Sequence, residues 1–126
     1  MDNLDLNQYD FFVGVPDSAL KSVLKEIEST NKKHIIAANE AHAVAIAFGA
    51  ILVGKNPCVY LQNSGLGNII NPLTSLCIPS GIEPFLLIGH RHTLEQHKIM
   101  GEIDEKLLET LNYKNYFLYK GNNNVK

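Results

Sequence analysis

The sequence has few of the features that mark membrane, secreted or nucleic-acid-binding proteins. It contains no tryptophan and a single arginine, Arg91, and its 11 basic and 13 acidic residues give a net charge of −2. Without a basic stretch, no nucleic-acid partner is expected. No apolar run approaches the ~20 residues of a membrane helix. The start, MDNLDLNQYD, lacks the positive and apolar parts of a signal peptide. We therefore expect a cytoplasmic protein without a membrane contact.

Cysteine is also scarce. Cys58 and Cys77 both lie in apolar stretches, which favours two buried thiols over a disulfide. The sequence otherwise has the composition of a globular domain, with 126 residues of which 45% are apolar and 19% are charged. A chain of this size buries roughly two-thirds of its unfolded surface, which is enough for a core without disulfides. No repeat or linker divides it, so we expect residues 1–126 to form one domain.

Short apolar segments alternate with helical patterns along the chain. The predicted strands are residues 10–15, 34–38, 58–61, 84–88 and 116–119. The predicted helices are residues 19–28, 40–53, 69 to about 76, and 104–111. Strands with little polar alternation, separated by helices, pair in parallel through right-handed crossovers. The predicted fold class is therefore α/β, an open parallel sheet with helices on both faces.

The helix predicted over residues 40–53 differs from the others. It is apolar on nearly every face and rich in alanine. Such a helix is expected to be covered on all sides, and its small side chains let another backbone approach closely. We expect it to lie in a domain core or in a subunit interface.

Polar residues gather in four loops that follow predicted strands, at 14–18, 38–42, 62–68 and 89–97. In an open parallel sheet such loops form the binding crevice. Glu40 opens the apolar helix, so it is either a carboxylate favoured by the helix dipole or a desolvated acid suited to proton transfer. Asp17, taken alone, is interpreted first as a helix cap.

Three other kinds of site are considered and disfavoured. The segment 62–68 could cradle an anion, but it has neither G-x-G-x-x-G nor a P-loop lysine, which argues against nucleotide binding. Ser64 lacks the G-x-S-x-G of a nucleophile elbow. The loop at 89–97 holds four side chains that could bind zinc, but their spacing matches no fixed motif: His90, His92, Glu95 and His97.

Three motifs together resemble a known family. They are Gly-Val-Pro-Asp-Ser18, Ala-Asn-Glu-Ala-His42 and, most specifically, Tyr-Leu-Gln-Asn-Ser-Gly-Leu-Gly-Asn68 followed by Asn71-Pro72-Leu73. Over about residues 10–111 the sequence resembles thiamine-diphosphate decarboxylases. It looks most like the N-terminal part of phosphonopyruvate decarboxylase and slightly less like the α subunit of sulfopyruvate decarboxylase. The resemblance implies a flavodoxin-like pyrimidine-binding domain.

The resemblance also implies roles for single residues. Glu40 matches the glutamate that shares a proton with N1′ of the cofactor's aminopyrimidine, which favours the imino tautomer that removes the C2 proton. Asp17 resembles an acidic residue with a proton role on the substrate side, which makes it the second catalytic candidate. The other implied contacts are those with the cofactor, from Gln62, Asn63 and Ser64, and those with the substrate, from Asp17, Ser18, Arg91 and a loop histidine, His97.

The implied reaction is decarboxylation of a 2-oxo acid, with phosphonopyruvate giving phosphonoacetaldehyde and CO2. Sulfopyruvate is the alternative substrate, and a non-catalytic interaction module is the alternative function. The family builds its site between this domain and a diphosphate-binding domain of another chain, so helix 40–53 would lie in a subunit interface, in a homo-oligomer or against a partner chain. The sequence contains no Gly-Asp-Gly, which leaves Mg²⁺ and the diphosphate to that partner domain. The chain is therefore expected to be a fragment of a longer decarboxylase or a separate α subunit.

Overall fold

A computed structural model describes residues 3–121 and 124–125. Its main sheet has five strands: β2 (Phe11–Gly14), β3 (Lys33–Ile36), β4 (Pro57–Gln62), β5 (Phe85–Gly89) and β6 (Tyr116–Tyr119). All neighbours pair in parallel, in the spatial order β3-β2-β4-β5-β6. This order is that of the flavodoxin-like doubly wound sheets. A separate parallel pair joins β1 (Asn3–Leu4) to β7 (Asn124–Val125).

Four main helices connect the strands of the large sheet. They are α1 (Lys21–Ser29), α2 (Glu40–Leu52), α3 at residues 70–80, which includes a π-helical turn at Leu73–Cys77, and α4 (Glu95–Thr110). Two 3₁₀ segments follow strands of this sheet: Ser18–Leu20 lies shortly after β2, and Asn63–Asn68 follows β4 directly. Within residues 3–121 and 124–125, no helix is long and apolar enough to cross a membrane.

The sheet separates two apolar cores because successive strand residues point to opposite faces. Phe12 and Tyr60 pack in the core that includes Val23 and Ile27 of α1. Their strand neighbours Val13, Val59 and Leu61 lie in the other core, with residues of α2, α3 and α4. Both faces of the sheet are thus covered by helices, and the predicted α/β class is confirmed.

The predicted helix at 104–111 is too short. The structure begins α4 at Glu95, so residues assigned to the loop at 89–97 form its first turn. The inward positions of this helix are His97, Gly101, Asp104 and Leu108, of which one is apolar and large. Because the buried face carries polar and small residues, the apolar periodicity that marks a helix is absent from its first half.

We expected α2 to be covered on all sides, but the described part of this chain covers it on one side only. Ala43, Val44 and Ala47 are buried in the core, whereas Leu52 at the end of the helix is 63% exposed and Val53 is 77% exposed. Ile36 at the end of the edge strand β3 is also exposed. This chain by itself therefore leaves an apolar surface open at α2. Both cysteines are free and buried, as predicted.

Candidate functional site at the carboxyl ends of the strands

The candidate site lies where β2 and β4 run side by side. The chain leaves β2 towards β3 on one side and later returns to β4 on the other. In doubly wound sheets the ligand crevice opens outside the carboxyl ends of the strands at this reversal. Asp17 follows β2, Glu40 follows β3, and Asn63 and Ser64 follow β4. The topology therefore brings the loops that carry the predicted site residues to one edge of the sheet.

Glu40 is a buried carboxylate at the start of α2, and one of its two oxygens is hydrogen-bonded. The preceding Asn39 caps α2, and its side chain accepts a hydrogen bond from the His42 amide at 2.8 Å. Glu40 is the first residue of the helix and is 7% exposed. Asn68 Nδ2 donates to Glu40 Oε1 at 2.8 Å. Among the described residues no hydrogen bond reaches Oε2, so this oxygen can bond a ligand.

Gly65 sets the position of that carboxylate. A Cβ atom at Gly65 would lie 2.7 Å from Glu40 Cγ and 2.9 Å from Glu40 Oε2, and real carbon atoms do not approach so closely. The 3₁₀ segment that contains Gly65 therefore packs its bare backbone directly against the Glu40 side chain. Glycine at this position is required by the contact, since any larger residue would displace Glu40.

A second polar cluster ties the loop after β4 to the loop after β5. Asn63 is fully buried, and its Nδ2 donates to the Arg91 carbonyl oxygen and to Asp104 Oδ2, each at 2.9 Å. His90 Nδ1 lies 2.7 Å from the same Asp104 oxygen. Because both hydrogens of the Asn63 amide group point to acceptors, its carbonyl oxygen must face away from the Asp104 carboxylate and the Arg91 carbonyl group.

Two buried side-chain oxygens at this edge lack a partner within the described part of the chain, Gln62 Oε1 and Asn63 Oδ1. A buried, unpaired oxygen costs about 1–3 kcal/mol of folding free energy, and such atoms are rare in native proteins. Two of them at consecutive positions, the last residue of β4 and the first residue after it, favour a ligand that brings N–H or O–H donors to this place.

Asp17 and Arg91, both predicted on the substrate side, form an ion pair. Arg91 Nη1 donates to Asp17 Oδ1 at 3.1 Å, across 74 sequence positions. The other carboxylate oxygen of Asp17 accepts from the Ala19 amide at 2.9 Å, so the residue is also the cap of the short 3₁₀ helix. Asp17 and Ser18 line an open cavity of about 510 Å³ together with Lys21. The structure thus brings three of the four predicted substrate residues into one region.

His97, the fourth, lies in a different setting from the one predicted. It was expected in a loop, but it stands in the first turn of α4 and is buried, with its Nδ1 3.1 Å from Ser64 Oγ. The correction follows from the early start of α4, since packing of the helix against the segment after β4 holds the ring in place. This hydrogen bond links His97 to a residue expected to face the cofactor.

The histidine-rich segment is not gathered into a ligand set. The His90 and His92 rings lie 4.9 Å apart, but His97 bonds Ser64 instead of joining them. Over residues 3–121 and 124–125, no group of three or more histidine, cysteine or acidic side chains is arranged to hold a metal ion.

Two residues of the site were missed by sequence reasoning, Asp104 and Asn68. Asn68 was seen only as part of a polar segment, and Asp104 only as the start of a helix. A signal for Asp104 is present, because it repeats at helical spacing with His97, Gly101 and Leu108. A charged residue on the inward face of a helix has to find buried partners.

Comparison with known proteins assigns the chain to a family. No protein-family model matches it. It is 40% identical over 112 residues to sulfopyruvate decarboxylase subunit alpha of Methanocaldococcus jannaschii, a match that covers 85% of this chain and 66% of the relative. The corresponding subunit of Methanococcus maripaludis is 37% identical over 108 residues, 81% of this chain and 64% of that protein.

Phosphonopyruvate decarboxylase of Streptomyces viridochromogenes is 37% identical over 102 residues, which cover 76% of this chain and 26% of that protein. The chain therefore spans just under two-thirds of the α subunits that it matches and about a quarter of the phosphonopyruvate decarboxylase. The chain is a homologue of the sulfopyruvate decarboxylase α subunits and of the phosphonopyruvate decarboxylases, and it belongs to the family that these proteins form.

Proposed function

We propose that this chain is the pyrimidine-binding half of a thiamine-diphosphate-dependent decarboxylase that acts on an anionic 2-oxo acid. The observation that carries the proposal is the buried carboxyl group of Glu40, fixed by Asn68 and Gly65 with one oxygen left for a ligand. The homology to sulfopyruvate and phosphonopyruvate decarboxylases supports decarboxylation as the reaction.

The residues present fit the aminopyrimidine of the cofactor. A carboxyl group at Glu40 can exchange a proton with a ring nitrogen, and the unpartnered oxygens of Gln62 and Asn63 can accept from an exocyclic amino group. Thiamine diphosphate, when bound, supplies the sink for the electron pair that departing CO2 leaves behind. Glu40 would hold and move the proton at the ring nitrogen, and the apolar cover around it would keep water away from that proton.

Asp17 and Arg91 would serve the substrate side. Sulfopyruvate and phosphonopyruvate, the substrates named for the relatives, each carry an acidic group besides the 2-oxo acid. A guanidinium has five donors, and in Arg91 only Nη1 contacts Asp17. The remaining donors can bind an anionic head group. The adjoining cavity carries Lys21 and Lys25, which balance Asp17 and Glu28 there. Ser18 completes this side of the proposed site, while His97, also expected to bind substrate, would approach it from Ser64.

A partner subunit is part of the proposal. The sulfopyruvate decarboxylase relatives are named as alpha subunits, and the end of α2 leaves Leu52 and Val53 mostly exposed. Exposed neighbouring apolar residues of this kind favour coverage by another protein surface. We propose that the cover is a diphosphate-binding domain, which also holds Mg²⁺ and the diphosphate, either in a separate chain or in a homo-oligomer.

The proposal is tested by assembling the chain with a diphosphate-binding subunit and measuring CO2 release from phosphonopyruvate and from sulfopyruvate. Glu40→Gln keeps the size of the side chain but removes the acid, so we expect turnover to fall at least about 100-fold. Glu26→Gln, at an exposed glutamate of α1, is the matched control and should leave the rate unchanged.

Comparing the two substrates decides between the two proposed specificities, since the natural substrate should show the higher kcat/KM. Near-normal turnover by Glu40→Gln would contradict the proposed role of the carboxyl group. Release of CO2 from neither acid, in a complex that assembles and binds the cofactor, would favour the non-catalytic module instead.

A further inference from the structure

Asp104 is a buried carboxylate that accepts three hydrogen bonds. It is 2% exposed and lies on the inward face of α4. Oδ2 accepts from Asn63 Nδ2 at 2.9 Å and pairs with His90 Nδ1 at 2.7 Å, while Oδ1 accepts from the Glu105 amide at 2.7 Å. A buried charge is tolerated only when its oxygens are satisfied in this manner.

The backbone of α4 comes unusually close to the loop after β5, which is how Asp104 reaches its partners. A Cβ atom at Gly101 would lie 2.5 Å from His92 Cβ and 2.8 Å from the Arg91 carbonyl oxygen. One helical turn further on, Asp104 meets His90 in the same loop and Asn63 in the segment after β4. The carboxylate therefore ties together the two loops that carry most of the polar residues at this edge.

The contact fixes where the His90 ring carries its proton. An ionised carboxylate only accepts, so Nδ1 must be the protonated nitrogen. The other ring nitrogen, Nε2, has no hydrogen bond within the described part of the chain. His90 lines a cavity of about 480 Å³ with five further residues: His92, Thr93, Lys98, Gly101 and Glu102.

We propose that Asp104 is a positioning residue: it holds His90 in the Nδ1–H form, so that Nε2 accepts a hydrogen bond or a proton from a ligand in this cavity. The hydrogen-bonding part of the inference concerns this chain alone. The part about turnover rests on the proposed decarboxylase function.

The sharpest variant at position 104 removes every acceptor and keeps the branching of the side chain. An asparagine would not do so, because its amide oxygen could still accept from Asn63 and His90 and only the contact with the Glu105 amide would be lost. Leucine has the same branching and no acceptor. Asp104→Leu therefore removes all three hydrogen bonds.

The test is the tautomer of His90, which NMR reports through the chemical shifts of the two ring nitrogens. The measurement uses the ¹⁵N-histidine-labelled chain at a pH where His90 is neutral. The His90 signal is assigned by its absence from the spectrum of His90→Gln. In the unaltered chain we expect Nδ1 to be protonated and Nε2 to be free. In Asp104→Leu we expect this preference to be lost, while Glu109→Gln, at an exposed position of the same helix, should retain it.

An Nε2–H tautomer in the unaltered chain would overturn the inference by itself, even if Asp104→Leu did not fold. An unchanged tautomer in a folded Asp104→Leu variant would also overturn it. In the assembled enzyme, Asp104→Leu should lower kcat about 10- to 100-fold, the effect of losing the outer-shell partner of a metal-bound histidine, and shift the pH profile of kcat. Unchanged kcat and pH profile, alongside the altered tautomer, would refute the positioning role.

These outcomes are separable from the proposed function. If the assembled complex releases no CO2 from either acid, the decarboxylase proposal fails while the tautomer measurement still decides whether Asp104 sets the proton on His90.

Discussion

Gly65 provides a sharp perturbation of the site, because replacing it with alanine should move one side chain and little else. The added Cβ would lie 2.7 Å from Glu40 Cγ, roughly 0.8 Å inside the ~3.5 Å at which carbon atoms pack favourably. All three of its closest contacts are with the Glu40 side chain. The strain is therefore relieved when the Glu40 carboxylate moves away and its hydrogen bond with Asn68 breaks.

The free energy of unfolding of Gly65→Ala should fall by about 1–3 kcal/mol, the usual cost of overpacking a filled site. Gly67→Ala is the matched control, since a Cβ atom there would meet nothing within 4 Å and it lies in the same 3₁₀ segment. Its change in stability should stay within about 0.5 kcal/mol. Urea unfolding of the two variants measures both values.

The same pair of variants should differ in activity. Under the proposed function, CO2 release by the assembled complex should follow the position of the carboxylate, so Gly65→Ala should lose most turnover even under conditions where it is fully folded. Gly67→Ala should retain it. Equal stability and equal turnover for the two variants would refute the inference that the contact between Gly65 and Glu40 holds the carboxyl group in place.

Two further predictions concern the fold. Gly49 lies in the interior of α2, and a Cβ atom there would meet nothing within 4 Å, so Gly49→Ala should stabilise the chain by about 0.5–1 kcal/mol in urea unfolding; a loss of stability would contradict the open space at this face. Burial, with smaller contributions from Cys58 and Glu28, raises the pKa of Tyr60 from 10.0 to about 12. The unfolded chain therefore releases this proton first, and the free energy of unfolding should fall as the pH rises from about 10 to about 12. Tyr60→Phe should show a smaller fall over this range, and an equal slope in both proteins would refute the assignment.

Most of the architecture could be predicted because each element has a local signal. Apolar runs such as Pro84 to Gly89 are bounded by residues that end strands, and α2 begins at a capping asparagine. Parallel pairing follows from strands that are apolar on both sides. These signals depend on neighbouring residues alone, so the elements can be predicted without knowledge of the tertiary contacts.

The remaining features depend on contacts between distant positions. Asp17 and Arg91 pair across 74 positions, and Asp104 meets Asn63 across 41, so no local pattern indicates either contact. Leu4, Leu6 and Tyr9 are buried in the core on the α1 side of the sheet, although their segment shows no periodicity. The early start of α4 was hidden for a related reason, since its inward face is built for a polar site and carries few apolar residues.

The prediction that Glu40 belongs to a site rested on one argument from the residues and one from resemblance. The residues indicated a carboxylate that is desolvated at the start of an apolar helix, and the structure shows that burial directly. The resemblance implied its role towards a cofactor, and this role stays a prediction.

The central claim is that the Glu40 carboxyl group activates thiamine diphosphate in a complete enzyme. Its most direct test is the rate at which the C2 proton of the bound cofactor exchanges with deuterated solvent, followed by quenched-flow NMR in the assembled complex. Exchange in Glu40→Gln should be at least about 100-fold slower than in the unaltered protein. Equal exchange rates in the two proteins, each shown to bind the cofactor, would contradict the claim.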